Sequence, residues 1–538
     1  MKCGLCREHL PIRSNLALSE EVQRLLRYTE PHSGPACPNP DCANHLLPSA
    51  LASGPYVHNG KTKAGTPRWR CQACKKTFSA GGKATSRQRM SHKNRDVFAL
   101  LINKSPINRI AEVTGLSKQT VYDKIAFIHR QCEAFAGHRE RHLPSMELPK
   151  MYVAVDRQAF IVNWTSRKDR RNVQLNAIAS ADLKTGYVFG MHLNFDGALN
   201  PLEVERDAIN IGDYALPEPY RRYARLWLAN DYSTALRFGN SSAARQAALK
   251  AAKAGGADEL NAEIAAQYAA GDVKADIEQG DEQSRIVALP KLGMQVHEQY
   301  TLYAHYLVLA HLLQNAPKVR LFLDQDSGFR AGFMAAFHER VRARTADAWY
   351  VRVLKDSTID EKDKAVLAAK KRLLAYEDAN PGLSPLDIEV LMVKDEMARM
   401  KSIGHWGDKW LVHPVASRSE PDKRVCWLTD MNDYDDDHAA RLYLKASLHA
   451  VDRFFMQARR RLSLAERPYT SANAARRMWY GYSAYRPQNL AMVLDIFRVC
   501  YNFHLVGRDK KTPAMRLGLA RAPVDLEDIL YFQAPAVS

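Results

Sequence analysis

The sequence predicts a multidomain chain: a small metal-stapled unit, a short all-α unit, then a large α/β core of mixed sheet with inserted helices. Three observations predict it. Two close cysteine pairs stand near the N-terminus, a basic stretch with helical periodicity follows them, and strand-like and helix-like apolar runs alternate from about residue 150 onward. At 538 residues the chain is several times the usual domain length. With 46% hydrophobic and 25% charged residues it is neither collagen-like nor wholly disordered.

Charge is the unusual quantity. The 77 Lys+Arg exceed the 59 Asp+Glu by 18. Residues 61–130 alone hold 16 Lys+Arg and 3 Asp+Glu. Such concentration suits a dedicated module for a polyanion, nucleic acid before an anionic membrane surface; the competing reading is a merely solvated basic face. No apolar run of about 18 residues occurs, and Met1-Lys2-Cys3-Gly4-Leu5-Cys6 opens no apolar leader. Membrane spanning and secretion are therefore not expected, and a cytoplasmic location is.

After an N-terminal extension (1–35), Cys37-Pro38-Asn39-Pro40-Asp41-Cys42 and Cys71-Gln72-Ala73-Cys74 form the two pairs. A short step between cysteines lets one turn aim two thiolates at an ion, and two such turns complete the tetrahedral four-sulfur shell that Zn²⁺ prefers. Strand-like flanks, Thr66-Pro67-Arg68-Trp69-Arg70 and Lys75-Lys76-Thr77-Phe78, complete the pattern of a zinc ribbon over 36–80, with one structural Zn²⁺ on Cys37, Cys42, Cys71 and Cys74. Its cationic flanks Arg68, Arg70, Lys75 and Lys76 are candidate DNA contacts. Cys3 and Cys6 lack a second pair nearby to finish a site, whether or not His32 is counted. Cys132, Cys426 and Cys500 sit in apolar settings and read as core.

Residues 92–135 read as a helix-turn-helix. Asn94 to Asn103 carries Val97, Leu100 and Leu101 on one face, Ile107 to Thr114 follows Pro106, Gly115 makes the turn, and Ser117 is a natural N-cap for Lys118 to Ile125. The start of the second helix (Ser117, Lys118, Gln119, Thr120 and Tyr122) would face the major groove of double-stranded DNA, while Ile110, Val113, Leu116, Val121 and Ile125 would be core. A plain helical bundle is the alternative.

The core is expected over 150–530, with insertions at about 197–296 and 356–436. Tyr152 to Val162, Val173 to Ala181 and Tyr187 to Leu193 read as a three-strand meander with Asp156 inside its first, otherwise apolar, strand. A carboxylate there is costly unless paired or metal-bound. A helix (Tyr300 to Leu313) leads to the buried strand Lys318 to Asp324, then a helix over 329–342 and a strand from Ala348 to Leu354. A helical stretch from Asp437 to Leu464 carries Asp452. Strand acid, strand-end acid and late-helix acid are the layout of an RNase H-like core. Each acid has a rival: Asp326 or Asp231 for Asp324, and Glu466 for Asp452. Arg459, Arg460 and Arg461, with Arg476, Arg477 and Arg486 among Trp479, Tyr480, Tyr482 and Tyr485, suit phosphate contacts and base stacking. The stretch 240–290 reads as helical insertion or linker. Charged helices broken at Pro381 and Pro385 are expected over 356–400. Trp410 to Pro414 can pair with Arg424 to Leu428 as a hairpin beside the core. His405, His413 and His449 read as structural.

The order of these parts resembles bacterial insertion-sequence transposases of the DDE class. Arg68 to Phe78 is similar to their ribbon, and Tyr501-Asn502-Phe503 with Lys511 to Ala520 is similar to the end of their catalytic domains. The resemblance covers roughly 37–196, 297–355 and 437–530. It implies DNA cleavage and strand transfer at insertion-sequence ends with two Mg²⁺ ions, or Mn²⁺ in their place. Asp156 would bridge both ions, Asp324 would help hold one, and Asp452 would stand where the family usually has Glu. That departure shortens the reach by about 1.5 Å, one methylene. The resemblance alone implies a homodimer or larger assembly on element-end and target DNA. The alternatives are a catalytically degenerate DNA-binding regulator of the same descent and a structure-selective nuclease on the same fold.

Overall fold

A computed structural model of the chain describes residues 13–30, 37–45, 54–63, 67–79, 85, 88–162, 173–235, 241–273, 289–354, 358–404, 406–466, 469–470, 478–479 and 486–533. The chain forms two compact units. One comprises 26–143, 461–463 and 492–538; the other comprises 1–25, 144–460 and 464–491.

In chain order, helix α1 (Asn15–Leu26) precedes three strands, β1 (Tyr56–Lys61), β2 (Pro67–Cys71) and β3 (Thr77–Ser79). These pair antiparallel in the order β1-β2-β3, so the second cysteine pair falls at the end of β2 and the turn after it. Three helices follow: α2 (Asn94–Leu101), α3 (Ile107–Thr114) and α4 (Lys118–Glu140). The second helix of the expected pair is longer than its apolar pattern suggested. It runs to Glu140 because Ile128, Cys132, Phe135 and Ala136 extend its buried stripe. One core expectation fails: Val113 is 69% exposed. The buried stripe of α3 is Ile107, Ile110 and Thr114, and a helical period of 3.6 turns Val113 off it.

The larger unit holds β4 (Met151–Val162), β5 (Val173–Asp182), β6 (Val188–Leu193), β7 (Phe195–Asp196), α5 (Pro201–Asn210), α6 (Ala229–Ala235), α7 (Ser241–Ala254), α8 (Glu259–Val273) and β8 (Met294–Gln295). It continues with α9 (Glu298–Leu312), β9 (Val319–Asp324), α10 (Ser327–Arg342), β10 (Ala346–Val353), α11 (Ile359–Ala379), α12 (Pro385–Met397), β11 (Lys401–Ile403), β12 (Asp408–Val412), β13 (Lys423–Trp427), α13 (Asp436–Leu444) and α14 (His449–Arg461). Short strands β14 (Tyr469–Thr470) and β15 (Met478–Trp479) pair with each other. Helices α15 (Pro487–Phe503), α16 (Pro513–Leu517) and α17 (Leu526–Leu530) close the chain.

Eight strands make one mixed sheet in the order β11-β12-β13-β10-β9-β4-β5-β6. The central pairs β4/β9 and β9/β10 are parallel; the others are antiparallel. Parallel strands must be covered on both faces, which is why β9 reads as the near-continuous apolar run Val-Arg-Leu-Phe-Leu. The expected hairpin forms, with Trp410 opposite Cys426, and it is part of this sheet because β13 also pairs with β10. The single helix expected over 437–464 is two helices. Ser447 interrupts it, its Oγ accepting from the His449 backbone N–H at 3.1 Å, a local bond that competes with helical continuation. Residues of α1 belong to this unit too: Glu21 is fully buried against Arg24 and Arg225.

Candidate functional site

The four cysteines converge. Cys37 Sγ lies 3.4 Å from Cys74 Sγ and Cys42 Sγ lies 3.7 Å from Cys71 Sγ, with all four sulfurs within 4.8 Å of one another. Sulfurs each about 2.3 Å from one tetrahedral ion stand about 3.8 Å apart, so the cluster has the dimensions of a four-thiolate metal shell. Two turns build it. Cys42 N–H donates to Asn39 C=O at 3.1 Å, and Lys75, in the left-handed region at φ 60°, lets Lys75 N–H donate to Cys71 C=O at 3.0 Å. Tyr56 walls the cluster, accepting from Cys37 N–H at 3.1 Å and donating to Asn44 C=O at 2.7 Å. Asn44 was not singled out from the sequence, yet its backbone and side-chain N–H groups reach Cys42 Sγ and Cys71 Sγ at 3.4 Å. Burial pushes the Cys71 thiol up, but N–H donors from Cys74, Asn44 and Ala73 outweigh it and bring it down to about 6. Burial pushes Cys37 up to about 12. A bound cation would supply the charge that lets all four be thiolates together, and soft sulfur donors at this spacing suit a metal such as zinc. Arg68, Arg70, Lys75 and Lys76 are all exposed around it.

Gly115, at φ 70°, ends α3 in the left-handed conformation that glycine adopts without penalty. Ser117 then caps α4, its Oγ accepting from Thr120 N–H at 3.1 Å. Lys118 and Gln119 are exposed, while Thr120 and Tyr122 are half-buried. Gln119 donates to Asp123 at 2.9 Å. Lys124, in the same helix, is buried, and its ammonium donates to Met90 C=O at 2.9 Å and Asn94 Oδ1 at 2.7 Å. It therefore anchors the segment that enters α2 instead of facing a ligand.

Asp156 and Asp324 lie on neighbouring parallel strands. The last register pair is Val155 with Leu323, so the two acids are the next residues on each strand. Strands run about 4.8 Å apart and side chains alternate, which puts both on one face. Asp156 is 4% exposed. Its Oδ1 accepts from Arg157 N–H at 2.7 Å, and Asp324 Oδ1 accepts from Gln325 N–H at 2.9 Å. Arg352 Nη1 lies 3.8 Å from Asp324. Burial pulls Arg352 down, but Asp324, Glu263 and Asp156 outweigh it and hold the guanidinium above its usual range.

Two rivals are occupied by structural work. Asp326 caps α10, accepting from Gly328 N–H at 2.8 Å, and pairs with Arg157 at 2.9 Å. Asp231 accepts from Leu228 N–H and pairs with Arg221, each at 2.9 Å. Glu466 is exposed beyond the end of α14. Asp452 is half-buried in the first turn of α14. Two turns on, Arg459 donates to Gln158 Oε1 at 2.5 Å, two residues past Asp156 on the same face of β4. Among the described residues the four cysteines alone form a group of three or more His, Cys, Asp or Glu with ligand atoms all within 4.8 Å; the three aspartates do not.

Arg460 and Arg486 are exposed, and Arg461 donates to Asn103 Oδ1 at 3.2 Å. Cys3, Cys6, His32, His405, Arg476, Arg477, Tyr480, Tyr482, Tyr485 and the side chain of Trp479 lie outside the described residues. Cys132, Cys426 and Cys500 are buried. His413 is buried with Nδ1 2.9 Å from Val415 C=O, and His449 Nδ1 lies 2.9 Å from Ser447 Oγ. Compared with known family models, curated proteins and solved structures, the chain matches none.

Proposed function

We propose that the chain is a DNA transposase of the DDE class, a zinc ribbon and helix-turn-helix binding element ends and an RNase H-like core cutting and joining them. The observation that carries this reading is the placement of Asp156 and Asp324 side by side at the end of the central parallel strands, with the helix of Asp452 tied to the same strand face. Interval arithmetic supports the third acid. Asp452 precedes Arg459 by about 10.5 Å of helix, and Asp156 precedes Gln158 by about 6.6 Å of strand. Lys445, before α14, donates to Tyr152 Oη at 3.1 Å, so the chain from Lys445 to Arg459 follows β4 in its own direction. Asp452 thus falls level with Asp156 to within one helical turn.

Three carboxylates are the hard oxygen donors that Mg²⁺ takes. A two-metal site does not require them within 4.8 Å of each other. With ions about 3.5–4 Å apart and ligands about 2.1 Å outside each, the outer oxygens stand up to about 8 Å apart. Bound there, the pair would activate a water or 3′-hydroxyl and stabilise the leaving oxygen. Asp156 would bridge, Asp324 and Asp452 would each hold one side, and the backbone N–H groups of Arg157 and Gln325 keep the first two carboxylates oriented. Arg157 fixes β4 to the elements on the opposite face through Glu298 at 2.6 Å and Asp326 at 2.9 Å.

Asp156→Asn keeps the shape and removes the charge. Metal-dependent cleavage of element-end DNA should fall at least about a thousandfold while end binding persists. Unchanged cleavage would remove the enzyme from this reading. Wild-type protein that binds ends without cutting would instead support the degenerate regulator, which the shorter reach of Asp452 favours; cutting without joining would support the nuclease.

A further inference from the structure

Beyond the acids, the end of β10 holds a second charged feature that the mechanism does not use. In the antiparallel pair of β10 with β13, Arg352 stands directly opposite Arg424. Like charges facing across strands repel, so such a pair persists only when counter-charge is supplied. Half of the facing carboxylates come from α8 and the turn before it. Glu263 of α8 accepts from Arg352 Nη2 at 3.1 Å, and Asp258, just before α8, lies 3.5 Å from Arg424 Nη2. Asp422 also holds Arg424 Nη1. Yet the arginines keep donors in reserve. Among the described residues the Nε of each is buried with no hydrogen-bond partner, and Arg352 Nη1 is 3.8 Å from Asp324, beyond bonding distance. Two adjacent guanidinium forks with undischarged donors, the first within an ion-pair distance of a proposed catalytic acid, match the bidentate geometry of a phosphate.

We propose that Arg352 and Arg424 form a phosphodiester-binding pair beside Asp324, and that Glu263 and Asp258 hold it closed until a DNA backbone takes their place. The proposal deepens the nucleic-acid reading and rests on it. The clasp is weak on its own terms. Asp258 is 49% exposed and Glu263 22%, so water and salt screen both carboxylates. A phosphate shared by two forks is the stronger partner, and it also relieves their mutual repulsion. The side chains of Glu263 and Asp258 then act as the removable cover, while α8 itself stays docked through its buried Leu260, Ala262, Ile264, Ala266 and Ala270.

The test uses the full chain and a linear DNA duplex of arbitrary sequence, in EDTA so that no cleavage occurs, with affinity read over a salt series. Relative to wild type, Arg352→Ala and Arg424→Ala should each bind about tenfold more weakly, with a salt slope shallower by about one phosphate contact. Arg352→Lys should restore the slope but not the affinity, because the charge returns without the fork. Glu263→Gln combined with Asp258→Asn, which leaves both arginines in place, should bind several-fold more tightly. Unchanged affinity and slope in that double variant would make the clasp a mere fastening of the insertion and overturn the proposal, even if the arginine variants fail to fold. Because no metal is present, the outcome is independent of Asp156→Asn cleavage, and either idea can fall without the other.

Discussion

Two regions of this molecule hold the residues proposed as metal ligands, and they are assembled by opposite routes. The four cysteines are assembled by two tight turns, and Cys42 and Cys71 are 29 residues apart. Backbone and Asn44 N–H groups already face the sulfurs, so the shell is complete within one short segment. The three aspartates are brought together, as far as they are, by strand register and helix docking across most of the larger unit. A locally built shell is specified by a few consecutive residues, whereas a tertiary one depends on register and docking over a long stretch of chain.

The contrast is most sharply broken by removing metal. Chelation, or Cys71→Ser, should release one zinc per chain and unfold the segment spanning β1–β3, since structural zinc carries an apparent binding energy of about 10–16 kcal/mol. Elemental analysis and amide exchange over 56–79 read this directly; full protection in a metal-free sample would refute the centre. The same treatment should leave exchange in β4 and β9 unchanged.

Next in size is Asp156→Asn, whose loss of cleavage should come without loss of fold, because Asn keeps the shape of the side chain and its Oδ1 can still accept from Arg157 N–H. Thermal melting alongside cleavage separates the two.

Acid should act on the larger unit through a third route. Burial holds buried His413 down at about 3, with Lys423 reinforcing it. The unfolded chain, with an ordinary histidine near 6.5, binds the proton first. Stability therefore falls as pH drops from about 6.5 toward 3, by at most about 1.4 kcal/mol per pH unit for this group. His413→Gln should flatten that part of the stability profile; an unchanged slope would assign it to carboxylates instead.

Smaller effects test the helical unit. Ser117→Ala should cost about 1 kcal/mol through the lost cap. Val113→Ser should change stability by less than about 0.5 kcal/mol because the side chain is already in water. A large loss there would mean that another surface covers it.

Much of the fold was legible in the sequence where the signal is local. The meander of β4, β5 and β6, the turn at Gly115, the Ser117 cap and the broken helices α11 and α12 all follow from alternation, periodicity and cap residues. Asp324 was separable from Asp326 because it directly ends the apolar run Leu321-Phe322-Leu323, whereas Asp326 suits the turn at Gly328, where it caps α10. The failures have a common cause. Ser447 divides α13 from α14 and β13 joins the main sheet, each decided by partners far away in sequence or by a bond that periodicity does not count.

By itself the sequence determined the four thiolates, the basic charge of the segment around them and the apolar strands that carry acids, because spacing within a turn and alternation along a strand are properties of a few consecutive residues. Only the tertiary structure decided that Asp156 stands beside Asp324, that Arg352 faces Arg424, and that Glu263 from an insertion reaches both the arginine and the acid's neighbourhood. Strand register and helix docking are set by the summed burial of many side chains, and no short stretch of chain encodes them.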